Sequence, residues 1–293
     1  DHSAMLTYGE QMIAGMRTAM KWLNIKHGII GIEDNKPDAI ENFRKLLAGS
    51  TDIEVKALAH TYPQGAERVI IYECTGRHLI AGKLPADAGC VVQNVATSLA
   101  VYEAVQKNKP LITNTLTITG DCLPVEKQHN YLFRIGIPLS FIAEYAGGVP
   151  EAAAKIISGG PMMGKAIANL DATTVKGSSS LLYLSEDATK RKDGSACIRC
   201  GKCAEACPMG LEPFLLKRLT SAGDTDALEA NAVQDCIECG CCLYSCPANI
   251  PLLDLIRPAK AQVMGIMRAR AAAAKAAAEA AKAAAEAKNN ENK

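Results

Sequence analysis

The chain lacks an excess of charge of either sign. Its 293 residues carry 32 Lys and Arg against 31 Asp and Glu, a net charge of +1. A dedicated nucleic-acid binder would show a strong basic excess, so that class is set aside. No window approaches the run of about 18 apolar residues that a membrane span needs, so no direct span is expected. No G-x-G-x-x-G occurs, so there is no dinucleotide fingerprint. No basic region followed by an apolar stretch opens the sequence, so no secretory leader is expected. Asp1 in first place, where Met would stand, points to a fragment or a processed chain. The compartment expected is the reducing cytoplasm, where cysteines are metal ligands or free thiols and disulfides are disfavoured. The histidines (His2, His27, His60, His78 and His129) are scattered, and no acid–base pair or nucleophile constellation suggests hydrolysis.

What is present is enough for about two domains, or three small ones. Hydrophobic residues at 48% and charged residues at 22% exclude wholesale disorder. Residues 8–23 have helical period, with Met12, Met16 and Met20 on one face as core packing. Residues 28–33 and 53–58 read as strands. Between them, Asn35 can cap a helix with Pro37 in its first turn and Ile40, Phe43 and Leu47 facing inward. Residues 65–75 look helical, and Asn94 precedes a helix reaching about Asn108. This alternation predicts an α/β domain with a mainly parallel sheet over residues 1–110. Short strands at 111–119, 131–135, 155–158 and 181–184, around one helix opened by Pro138, predict a compact α+β module at 111–186. Gly159, Gly160 and Gly164 read as turns, and the polar residues 187–193 as a linker. At the far end, residues 259–293 are rich in alanine. Lys275, Glu279, Lys282 and Glu286 are spaced to pair along a helix, read as a solvated helix or a docking arm.

Nine of the twelve cysteines fall between Cys197 and Cys246, and that clustering is the main functional signal. Cys197, Cys200, Cys203 and Cys207 are spaced C-x2-C-x2-C-x3-C with Pro208 following, and Cys236, Cys239, Cys242, Cys246 and Pro247 repeat the run. This is the bacterial two-cluster ferredoxin spacing, in which the fourth cysteine serves the other cluster. One [4Fe–4S] cluster then takes Cys197, Cys200, Cys203 and Cys246, and the other Cys236, Cys239, Cys242 and Cys207. Zinc knuckles need neither the third cysteine nor the proline. Cys241 reads as a small residue beside a cluster, and Cys74, Cys90 and Cys122 as buried free thiols. Between the motifs, Phe214, Leu215, Leu216, Leu219, Ala227 and Leu228 fit helices, so a helical ferredoxin-type domain is expected at 194–258.

Over about residues 1–260 the sequence resembles the C subunit of the Rnf-type ion-translocating electron-transport complex. The resemblance rests on GIEDNKPDAI (31–40), YPQGAERVIIYECTGR (62–77), VVQNVATSLAVYEAV (91–105), LTITGD (116–121), ISGGPMMG (157–164) and the twin cysteine motifs. It implies that the α/β domain is similar to the flavin-carrying, NADH-oxidising subunit of respiratory complex I, and that the middle module is a β-grasp module of the SLBB kind. It implies FMN, NAD(H) as substrate and two [4Fe–4S] clusters. Other subunits of a membrane complex would be its partners, and it would lie peripherally on the cytoplasmic side of the inner membrane. It carries the flavin and nucleotide roles onto Tyr62, Gly65 and Glu67, and onto Gln93, Asn94 and Thr97. From the residues alone, Asn94 reads first as an N-cap and Thr97 as a first-turn residue, ahead of a phosphate contact at a helix start; the resemblance favours the binding role. The family's glycine-rich flavin loop and Glu-Cys-Glu-Pro stretch would precede Asp1, so the flavin site is expected to be half present. A cobalamin-reductase-type flavoprotein of a microcompartment, and a cluster-bearing wiring or docking subunit without turnover of its own, are the competing readings.

Overall fold

In the computed structural model, residues 1–79 and 82–291 are described, with side chains through residue 280. The chain forms two compact units, Asp1–Arg191 and Lys192–Lys293.

The first unit begins with helix α1 (His2–Trp22), kinked at Tyr8. The apolar period that predicts a helix from residue 8 starts at this kink. The turn ahead of it is also helical, because Met5 joins Met12, Ile13 and Met20 in the core. Strands β1 (Gly28–Glu33) and β2 (Ile53–Leu58) pair in parallel, from Gly28 opposite Ile53 to Glu33 opposite Leu58. A parallel pair needs a crossover, and helix α2 (Pro37–Leu46) provides it, with Ala39 and Phe43 fully buried. Asn35 does not cap this helix, contrary to the sequence reading. Lys36 occupies the cap position, and its ammonium donates to Asn35 Oδ1 at 2.7 Å and to Glu33 Oε2 at 2.6 Å. Pro37 supplies the helical φ that starts the element without a side-chain cap. Helix α3 (Glu67–Thr75) ends at Gly76 in the left-handed region. Helix α4 (Val95–Lys107) crosses α1 at Gly15, where a Cβ would stand 1.8 Å from the Ser98 carbonyl oxygen. Only glycine permits that approach.

The same unit continues with β3 (Thr113–Thr119), β4 (His129–Arg134), helix α5 (Leu139–Tyr145), β5 (Lys155–Ser158), β6 (Lys165–Ile167) and β7 (Ser180–Leu184). The sheet order is β4-β3-β7-β5-β6, with β3 and β7 parallel and the other neighbours antiparallel. Leu116, Ile118, Phe133, Leu181 and Tyr183 meet Leu139 and Ile142 of α5 in one core. The three-residue β6 has too short a pattern to be read from sequence; it returns from the Gly159–Gly164 turn onto β5. Part of the expected linker is also helical, as α6 (Glu186–Thr189). Ser185 Oγ caps it by accepting from the Ala188 amide, and Glu186 and Asp187 suit its first turn. Cys74, Cys90 and Cys122 are half-buried rather than buried.

The second unit is a tandem repeat. Residues 39 positions apart match from Cys197/Cys236 to Pro213/Leu252. Helix α7 (Lys202–Glu205) corresponds to α10 (Cys241–Tyr244), and α8 (Pro213–Ala222) to the first turns of α11 (Leu252–Glu291). Helix α9 (Thr225–Ala230) bridges the copies. Leu216, Leu228, Val233, Leu252, Ile256 and Val263 form the core. Helix α11 does not stop at residue 258. Pro258 lies inside it and faces solvent, while Ala259 and Val263 are buried and Met267 packs against them. Residues 259–267 are thus core, not tail, because Ile256, Ala259, Val263 and Met267 recur at helical spacing. Beyond Arg270, which pairs with Glu229 at 2.8 Å, residues 271–280 are exposed as read. Lys275 and Glu279 approach to 3.9 Å; Lys282 and Glu286 lie outside the described side chains.

Candidate cluster and flavin sites

The two cysteine loops adopt one conformation. Arg199 and Glu238 (φ 57° and 58°), Gly201 and Gly240 (φ 78° and 85°), and Gly210 and Asn249 (φ 64° and 51°) are matched left-handed residues. Each loop therefore curls so that its own amides turn toward sulfur. The Glu238 amide donates to Cys236, and the Ala204 and Phe214 amides to Cys203. Phe214 sits in the first turn of α8, where amides have no helical partner.

The electrostatic neighbours of the thiols cross between the motifs. Cys246 lies close enough to Cys203 to raise its thiol. Cys207 does the same to Cys236 and, together with Cys236 and Cys239, to Cys242. Burial is the largest cause in each case, and Cys242 is pushed up to about 12. Crowded, half-buried thiols hold their protons until a cation compensates them, and iron would do so. Apolar and proline side chains, including Pro208, Leu211, Leu216, Leu253 and Ile256, wall the pocket around Cys207, Cys236, Cys239 and Cys242. Among the described residues, no three His, Cys, Asp or Glu side chains converge as tightly as a single metal ion requires. A cubane spreads its thiolates over four separate irons, so wider spacing suits it. The all-sulfur donor set, the inward amides and the dry wall fit a four-iron cluster.

Cys241 is more than a spacer. Its thiol hydrogen-bonds to the Cys239 sulfur, and burial followed by this bond pushes it up to about 11. It is therefore a neutral donor at neutral pH. Sequence reading missed this role, since its spacing matches no ligand position.

In the first unit, Tyr62 (joined to Pro63 by a cis peptide bond), Gly65 and Glu67 occupy the loop after β2 and the start of α3. Gln93, Asn94 and Thr97 occupy the start of α4. Asn94 Oδ1 accepts from the Ala96 amide at 2.8 Å as an N-cap, and its Nδ2 donates to Asp1 at 2.9 Å. Gln93 Nε2 donates to Ser98 Oγ at 2.8 Å. A cleft of about 540 Å³ opens beside β1, lined by Met12, Met16, Met20, Cys74, Arg77 and Cys90 among others. Of the six residues, only Gln93 lines it. The loop after β2 holds a residue that sequence reading passed over. Gln64 is buried, and its Nε2 has no hydrogen-bond partner, while its Oε1 accepts from Thr61 Oγ1 at 3.3 Å. This orphaned donor sits beyond the carboxyl end of a parallel strand, the edge where open α/β sheets take ligands. An acceptor-rich group such as a flavin phosphate or ring carbonyl fits that donor.

Residues 1–103 match the family model described as the Nuo51 FMN-binding domain, and residues 189–247 match the 4Fe-4S dicluster domain. The chain is 45% identical over 219 residues to the C subunit of a proton-translocating ferredoxin:NAD(+) oxidoreductase complex from Clostridium ljungdahlii, covering 75% of this chain and 47% of that protein. It is 41% identical over 268 residues to the C subunit of a Na(+)-translocating ferredoxin:NAD(+) oxidoreductase complex from Acetobacterium woodii, covering 92% and 60%. The C subunit of an ion-translocating oxidoreductase complex from Erwinia tasmaniensis is 37% identical over 278 residues, covering 94% and 34%. The chain thus spans roughly a third to three-fifths of the length of these relatives.

Proposed function

Because the chain belongs with the C subunits of ion-translocating ferredoxin:NAD(+) oxidoreductases over the part of their length that it spans, we propose that it passes electrons between NAD(H), FMN and two [4Fe–4S] clusters. The crossed neighbourhood of the cysteines carries this reading. Cys197, Cys200, Cys203 and Cys246 would hold one cluster, and Cys236, Cys239, Cys242 and Cys207 the other. Burial of Cys239 and Cys242 excludes water from the second cluster. The amides around Cys203 and Cys236 lower the cost of negative charge at both.

A bound flavin supplies the exchange between two-electron hydride and single electrons that the clusters require. Tyr62, Gly65 and Glu67, with Gln64 between them, and Gln93, Asn94 and Thr97 are the residues assigned to flavin and nucleotide. The domain boundaries follow the sequence pattern: an α/β domain at 1–110, a β-grasp module of the SLBB kind at 111–186, and a two-cluster domain from 194. The sheet order β4-β3-β7-β5-β6, with its parallel central pair, supports the β-grasp assignment. The partners are the other subunits of a membrane complex. No described helix is long and apolar enough to cross a membrane; the resemblance to the C subunits supports a peripheral position on the cytoplasmic side.

The test is anaerobic. The chain is loaded with iron, sulfide and FMN, and the clusters are followed by EPR under NADH and, separately, dithionite. About eight irons and eight sulfides per chain are expected. Reduction by NADH supports the full reading. Reduction by dithionite alone reassigns the chain as an electron wire. Bound zinc without sulfide overturns the cluster assignment.

A further inference from the structure

Three cysteines, Cys74, Cys90 and Cys122, lie in the first unit, and two of them meet. Cys74 is in the last turn of α3, with its sulfur against Gly31 of β1, where an added Cβ would stand 3.2 Å from it. Cys90 follows the short turn Pro85–Ala88, which Asp87 closes by accepting from the Leu84 amide at 2.8 Å. Both sulfurs are half-buried and both line the cleft beside β1. Cys90 is near enough for its charge to raise the Cys74 thiol.

Arg77 joins the two segments. It stands just past Gly76, the left-handed residue that ends α3. Its Nη1 donates to the Ala88 and Gly89 carbonyls at 3.1 and 3.0 Å, and reaches the Cys90 sulfur at 3.7 Å. Cys90 is thus pinned to the end of the helix that carries Cys74, with a cation on its sulfur. The surroundings of Cys74 are mixed. Burial is the largest influence and keeps it protonated, Lys56 opposes this, and Glu54 and Glu73 add to it. Cys122 is placed differently. It donates to the Ala152 carbonyl at 3.4 Å, and burial and then the Asp121 carboxylate push its thiol up.

A sulfur held by a cation in an open cleft, beside a second, protonated sulfur, is the arrangement of an entry thiol and its resolving partner. In a reducing compartment such a pair is a transient bridge rather than a structural one. We propose that Cys74 and Cys90 are a reversible modification site, closed to a disulfide by exchange with a low-molecular-weight disulfide. The Cys90 sulfur attacks one sulfur of the incoming disulfide, which forms a mixed disulfide and releases one small thiol. The Cys74 sulfur then attacks Cys90, which forms the Cys74–Cys90 bond and releases the second small thiol. Two protein thiols are oxidised, one small disulfide is reduced, and the two protons the cysteines lose go to the two leaving thiolates. Excess small thiol drives the reverse. The bridge closes the loop of residues 75–89 and fastens the end of α3 to the segment that leads into α4. It depends on neither flavin nor clusters.

The experiment uses the whole, cluster-loaded chain, incubated anaerobically with glutathione disulfide. Free thiols are then alkylated, and tryptic peptides are mapped without reduction. Cleavage at Arg77 and Lys83 separates the two cysteines, so only a bridge joins residues 69–77 to residues 84–107. The joined pair is expected, and dithiothreitol should abolish it. Cys74→Ser should instead retain one glutathione on Cys90. Cys90→Ser should take up glutathione at Cys74 at least about tenfold more slowly. Cys122→Ser should bridge as the unaltered protein does. Absence of the joined peptides from the unaltered protein overturns the site, as does a bridge that forms only in urea, or glutathione on Cys122 as fast as on Cys90. EPR spin counts in the same samples read the clusters separately, so their loss would bear on the electron-transfer reading and not on this one.

Discussion

Removing the Cys241 thiol should shift one cluster's reduction potential without removing the cluster. The thiol donates a hydrogen bond to the Cys239 sulfur and stays protonated, having been pushed up to about 11 by burial first and by that bond second. A reduced cluster carries one more negative charge, part of it on the ligand sulfurs, so a donor at Cys239 favours the reduced state. A hydrogen bond to a charged acceptor contributes about 1.5–3 kcal/mol in total. S–H is a weak donor, and only the difference between redox states counts, about 0.5–1 kcal/mol by that scale. For one electron, at about 59 mV per factor of ten, this is roughly 20–45 mV. Cys241→Ala should therefore lower the midpoint of the cluster of Cys207, Cys236, Cys239 and Cys242 by that amount. Cys241→Ser restores a donor and should not lower it. Potentiometric titration of the anaerobic, cluster-loaded protein, followed by EPR with spin counting, reads both clusters at once. An unchanged or raised midpoint in the alanine variant would refute the reasoning. Loss of the cluster would make Cys241 a ligand.

Other outcomes follow from the same geometry. Cys246→Ala should damage the cluster of Cys197, Cys200 and Cys203, and iron and sulfide should drop from about eight toward about four per chain; damage confined to the other cluster would refute crossed ligation. Leu216→Ala removes a fully buried side chain from the core of the second unit and should cost about 2–5 kcal/mol by denaturant unfolding of the loaded protein. Gly15→Ala forces a Cβ to within 1.8 Å of the Ser98 carbonyl oxygen unless α1 and α4 part. It should cost about 3 kcal/mol, read as a fall in melting temperature, and a variant as stable as the parent would show that the crossing is loose. Asp121 accepts hydrogen bonds from the Ser185 hydroxyl and amide, which hold its carboxyl below the usual range. Its contribution is present above the ordinary carboxylate range and is lost as pH falls through the lowered value. Asp121→Asn should therefore flatten that part of the acid-unfolding curve.

Much of the molecule was legible in local pattern. β1 and β2 are found at the residues read as strands, and the α4 start at Asn94 follows from its cap. The left-handed residues of the cysteine loops follow the C-x2-C-x2-C spacing, because three sulfurs cannot face one point from a regular helix. The cluster motifs could be read because ligand identity and spacing are local properties. Elements set by distant contacts were less legible. The crossing of α1 and α4 depends on Gly15 meeting the Ser98 carbonyl, 83 residues away in sequence. α11 runs through Pro258 because Ala259 and Val263 find a core supplied by Leu216 and Leu228.

What the sequence determined by itself is the donor chemistry: eight cysteines in two matched runs, an α/β segment, and a family likeness spread over its loops. What only the tertiary structure decided is how equal motifs became unequal. Burial, the Arg257 and Lys260 contacts to Glu238, and the Cys241 thiol set the second loop inside, while Ile198, Arg199 and Lys202 leave the first at the surface. Spacing along the chain fixes which atoms can bind iron. Solvent access and charge around those atoms are set by residues far apart in sequence, and these are the properties that tune a cluster's reduction potential.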